Sequence, residues 1–289
     1  FGFFHAVSAF CNAGFDLFGP VYGKFSSITH YVNDWVVTLT IGALIVFGGL
    51  GFPVIIELVK YPKTKKLSLN AKLVLRVTAL LIVTGALLIY IMEATNGYTL
   101  GKLGFSGKFL GSLFQSITPR TAGYNSLDIS HMRKASWFVL TILMFIGASP
   151  SSTGGGIKTT TFGVIIATVI ATIRGKHDVE LSERRLTQEL LNKAFTITFI
   201  ALSWVYLVTL IISIVEPFDF LRIFFDVMSA FGTVGLTTGI TPYLSGISQI
   251  MLILTMFIGR VGPLTVMVAI TDVKHKKTGR YITDHVMIG

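Results

Sequence analysis

Phe114-Gln115-Ser116-Ile117-Thr118-Pro119-Arg120-Thr121-Ala122-Gly123-Tyr124 is the stretch that decides the fold, because the chain carries it three times. One diverged copy is Phe4-His5-Ala6-Val7-Ser8-Ala9-Phe10-Cys11-Asn12-Ala13-Gly14-Phe15. Another is Phe224-Phe225-Asp226-Val227-Met228-Ser229-Ala230-Phe231-Gly232-Thr233-Val234-Gly235-Leu236. Aligned on Gly14, Gly123 and Gly235, the copies stand 109 and 112 residues apart, and an apolar span follows each. That spacing is an internal repeat. The apolar run before each glycine is about 10 to 13 residues, too short to cross a hydrocarbon core of roughly 30 Å, and reads as a re-entrant half-helix. Non-helical backbone after such a half-helix is tolerated at membrane depth only where it lines a wet cavity or is buried in protein.

Composition agrees with a membrane setting. The chain has 289 residues, 52% of them hydrophobic and 13% charged, with mean hydropathy +0.72. A soluble domain carries about a quarter charged residues. Uncharged runs at Trp35–Ile56, Ala135–Ile157 and Ala194–Val215 are each long enough to span a bilayer. Val77–Met92, extended by Leu73–Leu75, adds a fourth span and Ser245–Thr271 a fifth.

The net charge of +10 is clustered rather than spread. Lys60, Lys63, Lys65, Lys66, Lys72 and Arg76 form one group, Arg174, Lys176, Arg184, Arg185 and Lys193 a second, and Lys274, Lys276, Lys277 and Arg280 a third. The positive-inside rule places all three on the cytoplasmic face, against anionic lipid. Such charge does not call for nucleic acid. The lone Cys11 excludes an internal disulfide framework. The abrupt apolar start at Phe1-Gly2-Phe3-Phe4 suggests that an N-terminal portion is missing.

Each repeat therefore reads as outward helix, pore helix, filter and inward helix. Two complete units fall at 71–174 and 189–271, the second half of an earlier one at 1–60, and a cytoplasmic tail at 272–289. The expected fold class is an all-α integral membrane protein. A dehydrated cation is held by rings of backbone carbonyls, and glycine permits the backbone conformation that aims them inward. The candidate filter is Asn12-Ala13-Gly14-Phe15, Thr121-Ala122-Gly123-Tyr124 and Thr233-Val234-Gly235-Leu236. Glycines that only mediate close helix packing are the plainer alternative.

The run 135–173 holds a single charge, Lys158, over 39 positions. As one helix it would extend about 58 Å, so it must be interrupted. The interruption is Gly147-Ala148-Ser149-Pro150-Ser151-Ser152-Thr153-Gly154-Gly155-Gly156, rich in helix-breaking residues. It falls halfway along the span, beneath the filter, and is read as a gate. It lacks the GxxxxGK[ST] spacing of a phosphate-binding loop.

Two intramembrane cations accompany it, Lys158 and Arg260. Either costs roughly 3 kcal/mol at the bilayer centre unless it finds partners or water. Arg260 is the candidate that holds loop carbonyls closed and opposes cations below the filter. The alternatives are that Arg260 only ties helix ends together and that Lys158 snorkels to the cytoplasmic side. Asp16 and Asp128 either enrich cations at the outer mouth or serve as exposed turn carboxylates. Glu93 and Glu216 are read as span ends. No carboxylate pair, activated nucleophile or metal cluster supports an enzyme.

Taken together, Ser8–Phe15, Thr118–Asn125, Ser149–Thr159, Ser229–Leu236 and Gly259-Arg260-Val261-Gly262-Pro263-Leu264 resemble the Trk/Ktr/HKT superfamily of potassium transporters, most closely the bacterial Ktr membrane subunits. The resemblance covers the whole chain. It implies four pore units around a pseudo-fourfold axis, so this chain lacks the first unit and the opening helix of the second. It further implies a homodimer in the bacterial plasma membrane with one pore per subunit, transporting K+, in systems often dependent on Na+, and with no organic cofactor. A cytoplasmic ring of nucleotide-binding regulatory subunits would govern the gate formed by loop 147–158 and Arg260. In this superfamily a serine in place of a filter glycine can admit sodium. The alternative reading is a sodium- or proton-coupled secondary transporter, which also uses repeats and broken helices. It would need a midplane acidic residue that the spans do not convincingly offer.

Overall fold

The computed structural model describes residues 1–265 apart from 177 and 183. Its helices in chain order are α1 (Gly2–Phe10), α2 (Gly19–Tyr22), α3 (Trp35–Leu50), α4 (Phe52–Thr64), α5 (Leu69–Glu93), α6 (Phe105–Ile117), α7 (Lys134–Phe145), α8 (Thr159–Ile173), α9 (Gln188–Val215), α10 (Phe220–Gly232) and α11 (Gly246–Val261). A two-stranded antiparallel hairpin, β1 (Glu180–Leu181) and β2 (Arg184–Arg185), joins α8 to α9.

Helices α5 and α9, of 25 and 28 residues, are long and apolar enough to cross a membrane without interruption. At a 1.5 Å rise they reach about 38 and 42 Å. Their starts are fixed by side-chain caps: Ser68 Oγ accepts from Ala71 N at 3.1 Å, and Thr187 Oγ1 from Leu190 N at 3.4 Å. Leu80, Val83, Leu87 and Ile91 on α5 and Phe199, Leu210 and Ile214 on α9 remain exposed. Apolar side chains facing outward in this way suit a helix whose surroundings are lipid.

The three short helices α1, α6 and α10 hold the half-helix positions. Each packs on a long partner: α1 on α3, α6 on α5, and α10 on α9 and α11. A second set of contacts joins successive units, with α6 against α3 and α10 against α7. Helices α3 and α7 thus each pack within their own unit and support the short helix of the next.

The span expected at Trp35–Ile56 is two helices. Asp34 starts α3 by accepting from Val36 N at 2.9 Å and Val37 N at 3.1 Å. The helix ends at Gly51, whose φ of +89° lies outside helical space, and α4 leaves at a 104° bend. Pro53 sits in the first turn of α4, where its missing N–H is no loss.

The fifth expected span, Ser245–Thr271, is also shorter as a continuous helix. It stops at Val261 before Gly262, φ +101°, and Pro263. The tail 272–289 and the third basic cluster lie outside the described residues. Gly51 after α3, Gly262 after α11 and Gly147 after α7 mark corresponding break points.

Glu93 and Glu216 do more than end their helices. Glu93, fully buried, accepts from Arg133 N at 2.9 Å and from Ser136 Oγ. Glu216 accepts from Ser245 N at 2.8 Å and Ser248 Oγ at 2.6 Å. In both units the carboxylate closing the outward helix satisfies the N-terminal turn of the inward one. Asn96 Nδ2 and Thr99 Oγ1 complete the shell around Glu93. Glu93→Ala is expected to cost on the order of 3 kcal/mol, since it strands several buried donors, and Glu93→Gln less. Thermal unfolding in detergent checks this, and an unchanged Tm in Glu93→Ala would remove the capping role.

Candidate ion filter and gate

Each half-helix ends in the same backbone turn. Asn12, Thr121 and Thr233 have φ of +50°, +72° and +51°, and two residues later Gly14, Gly123 and Gly235 have +71°, +84° and +91°. Ala13, Ala122 and Val234 between them are not in positive φ. Such alternation turns successive carbonyls to one side, and it is sustained at the second position by glycine. The turn is held onto its helix by Ala13 N to Ser8 O at 2.9 Å, Ala122 N to Thr118 O at 3.0 Å and Val234 N to Ser229 O at 2.8 Å.

The three turns lie side by side. A Cβ on Gly14 would stand 2.1 Å from Ala122 O, and one on Gly123 would stand 2.1 Å from Val234 O. The first two are also pinned at both ends. The Asn12 amide lies 3.1 Å from Thr121 Oγ1 in either orientation. With its oxygen towards Thr121, its nitrogen also donates to Ala9 O and Ile45 O. At the other end the buried Tyr124 hydroxyl donates to Phe15 O at 3.0 Å. Ser8 Oγ reaches Phe15 O at 3.0 Å and Thr118 Oγ1 reaches Tyr124 O at 2.6 Å, fixing the residue after each glycine. The Phe15 side chain is exposed, whereas those of Tyr124 and Leu236 are buried.

The third turn is held by a group that the sequence reading passed over. Asp226, buried in α10, accepts from Thr237 Oγ1 at 2.9 Å, Thr238 N at 3.2 Å and Thr241 Oγ1 at 2.6 Å. Its signal was present as an aspartate inside an apolar half-helix, followed by three threonines in the loop beyond. Arg120 is likewise buried, with Nη2 donating to Thr78 Oγ1 at 3.2 Å.

The break between α7 and α8 folds into a compact loop closed by a parallel bridge between Ile146 and Ile157. It presses on the inner ends of the turns. A Cβ on Gly154 would fall 2.2 Å from Thr121 Oγ1, and one on Gly155 2.5 Å from Thr233 Oγ1. On the other side the loop is tied to the inward helices. Ser149 N donates to Gly49 O at 3.0 Å, Thr153 Oγ1 to Gly48 O at 3.1 Å, and Gly156 N to Gly259 O at 3.2 Å. Phe52 N, at the first position of α4, has no helical acceptor and donates instead to Ser151 O at 3.2 Å. Within the loop Ser152 Oγ donates to Ser149 O at 2.6 Å, and Ser149 Oγ pairs with Thr159 Oγ1 at 2.9 Å.

Gly147 is needed at the loop's first turn, because a Cβ there would stand 1.9 Å from Gly155 O. Both cations are engaged by the loop. Arg260 Nη1 donates to Thr153 O, and Lys158 Nζ to Gly154 O at 2.8 Å. Lys158 is thus turned back onto the loop.

Asp16 and Asp128 act as turn caps. Asp16 accepts from Phe18 N, and Asp128 from Ser130 N and Oγ while pairing with His131 Nδ1 at 2.8 Å. Burial pushes the Asp128 carboxyl up, but the bonds from Ser130 and His131 outweigh it and hold it below the ordinary carboxylate value. Asp128, Lys24 and Lys102 line an outer cavity of about 600 Å³ among the loops that follow the three turns, so its charge is mixed.

A family model described as TrkH, cation transport protein, matches residues 1–277. The chain is 43% identical over 262 residues to the Ktr system potassium uptake protein B of Bacillus subtilis, covering 91% of this chain and 58% of that protein. It is 39% identical over 295 residues to the potassium/sodium uptake protein NtpJ of Enterococcus hirae, covering 100% of this chain and 64% of that one. The crystal structure of the potassium transporter TrkH from Vibrio parahaemolyticus superposes with a TM-score of 0.74 at 16% identity, over 93% of this chain and 57% of that one. That likeness is one of fold. The chain spans about three-fifths of the length of these relatives.

Proposed function

The chain belongs to the TrkH family of cation transport proteins, a transporter family and not an enzyme family, and on that premise we propose that it forms most of a potassium-conducting pore. The observation that carries this reading is the turn repeated at the ends of three half-helices, with each of the first two glycines against the next turn's carbonyl. A lining of main-chain oxygens accounts for three diverged segments sharing positive φ at the same two positions. The filter is Asn12–Phe15, Thr121–Tyr124 and Thr233–Leu236, and the units fall at 1–60, 71–174 and 189–271.

The loop 147–158 is the gate. Placed directly against Thr121 and Thr233, it occupies the way out of the filter, and Arg260 holds it there through Thr153 O. Potassium is favoured as the ion because all three turns keep glycine, and because both relatives above are named for potassium uptake. The name of the second also supports sodium as a carried ion. Membership of a "Ktr system" in the first supports a regulatory partner in the cytoplasm, for which the basic inner segments are the docking surface. The protein works in the bacterial plasma membrane, as a homodimer.

The test is rubidium uptake by the full-length protein in proteoliposomes. Uptake suppressed by excess potassium and little affected by excess sodium is the expected result. Uptake driven only by a sodium or proton gradient would transfer the assignment to a coupled transporter.

A further inference from the structure

A second cavity lies between α5, α8, α9 and the hairpin, with Pro150 and Lys158 of the loop in its wall. It measures about 560 Å³, in the usual range for a ligand site. Leu73, Leu186 and Leu190 supply apolar wall, Pro150 and Lys158 come from the loop, and Lys193 stands at the rim. No acidic residue lines it. Among the described residues neither Lys158 nor Lys193 is paired with a carboxylate. Lys158 Nζ spends one of its three donors on Gly154 O and keeps two. Leu190 and Lys193 are exposed, which opens the rim to the surroundings of the helix bundle.

The lining states the chemistry of an occupant. A small soluble anion would pair with the lysines but leave the leucine walls wet. A neutral lipid would cover the walls and leave both ammonium groups without a counter-charge. An anionic head joined to an acyl chain satisfies both, and the neighbouring basic segments Lys72, Arg174 and Lys176 place the cavity at the level of the inner leaflet.

We propose that this cavity binds an anionic phospholipid of the inner leaflet, its phosphate held between Lys158 and Lys193 and its chain along Leu73, Leu186 and Leu190. The occupant then shares a cation with the loop, since the ammonium that would reach the phosphate also donates to Gly154 O. The site rests on the inner-face assignment made above. Its effect on conduction rests on the gate, but its existence does not.

The full-length protein is reconstituted in phosphatidylcholine vesicles containing a trace of acyl-photoactivatable phosphatidylglycerol, or the matched phosphatidylcholine probe. After illumination, labelled peptides are mapped by mass spectrometry. Peptides of α8 and the start of α9 are expected to take phosphatidylglycerol over phosphatidylcholine by at least about fivefold, the ratio that one lysine beside an anionic headgroup yields. Lys193→Gln, a surface change that leaves the loop untouched, is expected to bring that ratio down severalfold. Equal labelling by the two probes, or a ratio unmoved in Lys193→Gln, overturns the proposal. Suppression by millimolar inorganic phosphate as strong as that by unlabelled phosphatidylglycerol also overturns it, in favour of a soluble anion. Labelling is read whether or not the protein conducts, so loss of flux and loss of lipid selectivity are separate results.

Discussion

Gly123→Ser is expected to lower potassium-inhibitable rubidium uptake by about a hundredfold and to erase the preference for potassium over sodium in what remains. Two costs combine at this position. An L-residue at φ +84° is strained by roughly 1–2 kcal/mol. A Cβ there would also stand 2.1 Å from Val234 O, far inside contact distance, so the carbonyl of the neighbouring turn must swing away. Together these approach about 3 kcal/mol, and each 1.36 kcal/mol is tenfold in rate. The displaced oxygen is itself a proposed ion ligand, which is why selectivity and not only rate is lost. Gly14→Ser should behave alike, because its Cβ would meet Ala122 O at the same distance. Gly239→Ser is the control: its φ is +96°, but nothing lies within 4 Å of the added atom. It carries the backbone strain without the ring contact and is expected to retain selectivity. If Gly123→Ser discriminates potassium from sodium as well as Gly239→Ser does, the filter assignment is wrong.

Why the sequence revealed the turns but not their arrangement follows from what each depends on. The turn needs a half-helix of limited length and a glycine at a set offset, both of which are local and survive divergence of the side chains. The lateral order, Gly14 against Ala122 and Gly123 against Val234, is tertiary and leaves no trace in spacing. The same holds for the pins between turns. Asn12 and Tyr124 were read for their main chain, yet their side chains join the first turn to the second. An amide or a phenol inside a motif does not announce its partner a hundred residues away.

The bend at Gly51 was missed for a different reason. Hydropathy averaged over Trp35–Ile56 hides one positive-φ glycine, although Gly51-Phe52-Pro53 repeats the glycine and proline signal of Gly262-Pro263. The longer break at 147–156 was legible because nine of its ten residues, all but Ala148, disfavour helix. Glu93 and Glu216 were read correctly as helix ends, but the reason for a carboxylate at those ends is the N-terminus of a helix that starts 29 to 40 residues later. For Asn12, Tyr124, Glu93 and Glu216 the missing information is the same, a partner distant in sequence.

Arg260→Ala is expected to raise cation flux by about five- to tenfold while leaving the potassium-to-sodium preference unchanged. The guanidinium donates to Thr153 O, and charge-assisted hydrogen bonds contribute about 1.5–3 kcal/mol when buried. Arg260 is exposed, so solvent screening brings this to about 1 kcal/mol. Removing it shifts the balance between closed and open loop by the corresponding factor and no further. The loop does not fall apart, because Thr153 Oγ1 to Gly48 O, Ser149 N to Gly49 O and Gly156 N to Gly259 O remain. Those bonds bind the loop to both flanking inward helices, which is why the increase is modest. Arg260→Lys keeps the charge but offers no planar fork, and is expected to fall between wild type and alanine. The separation of effects is the decisive feature: a filter change alters which ion passes, a gate change alters how often. A flux unchanged in Arg260→Ala would reduce Arg260 to a tie between helix ends, and a lost selectivity in the same variant would mean that loop and filter are one structural unit.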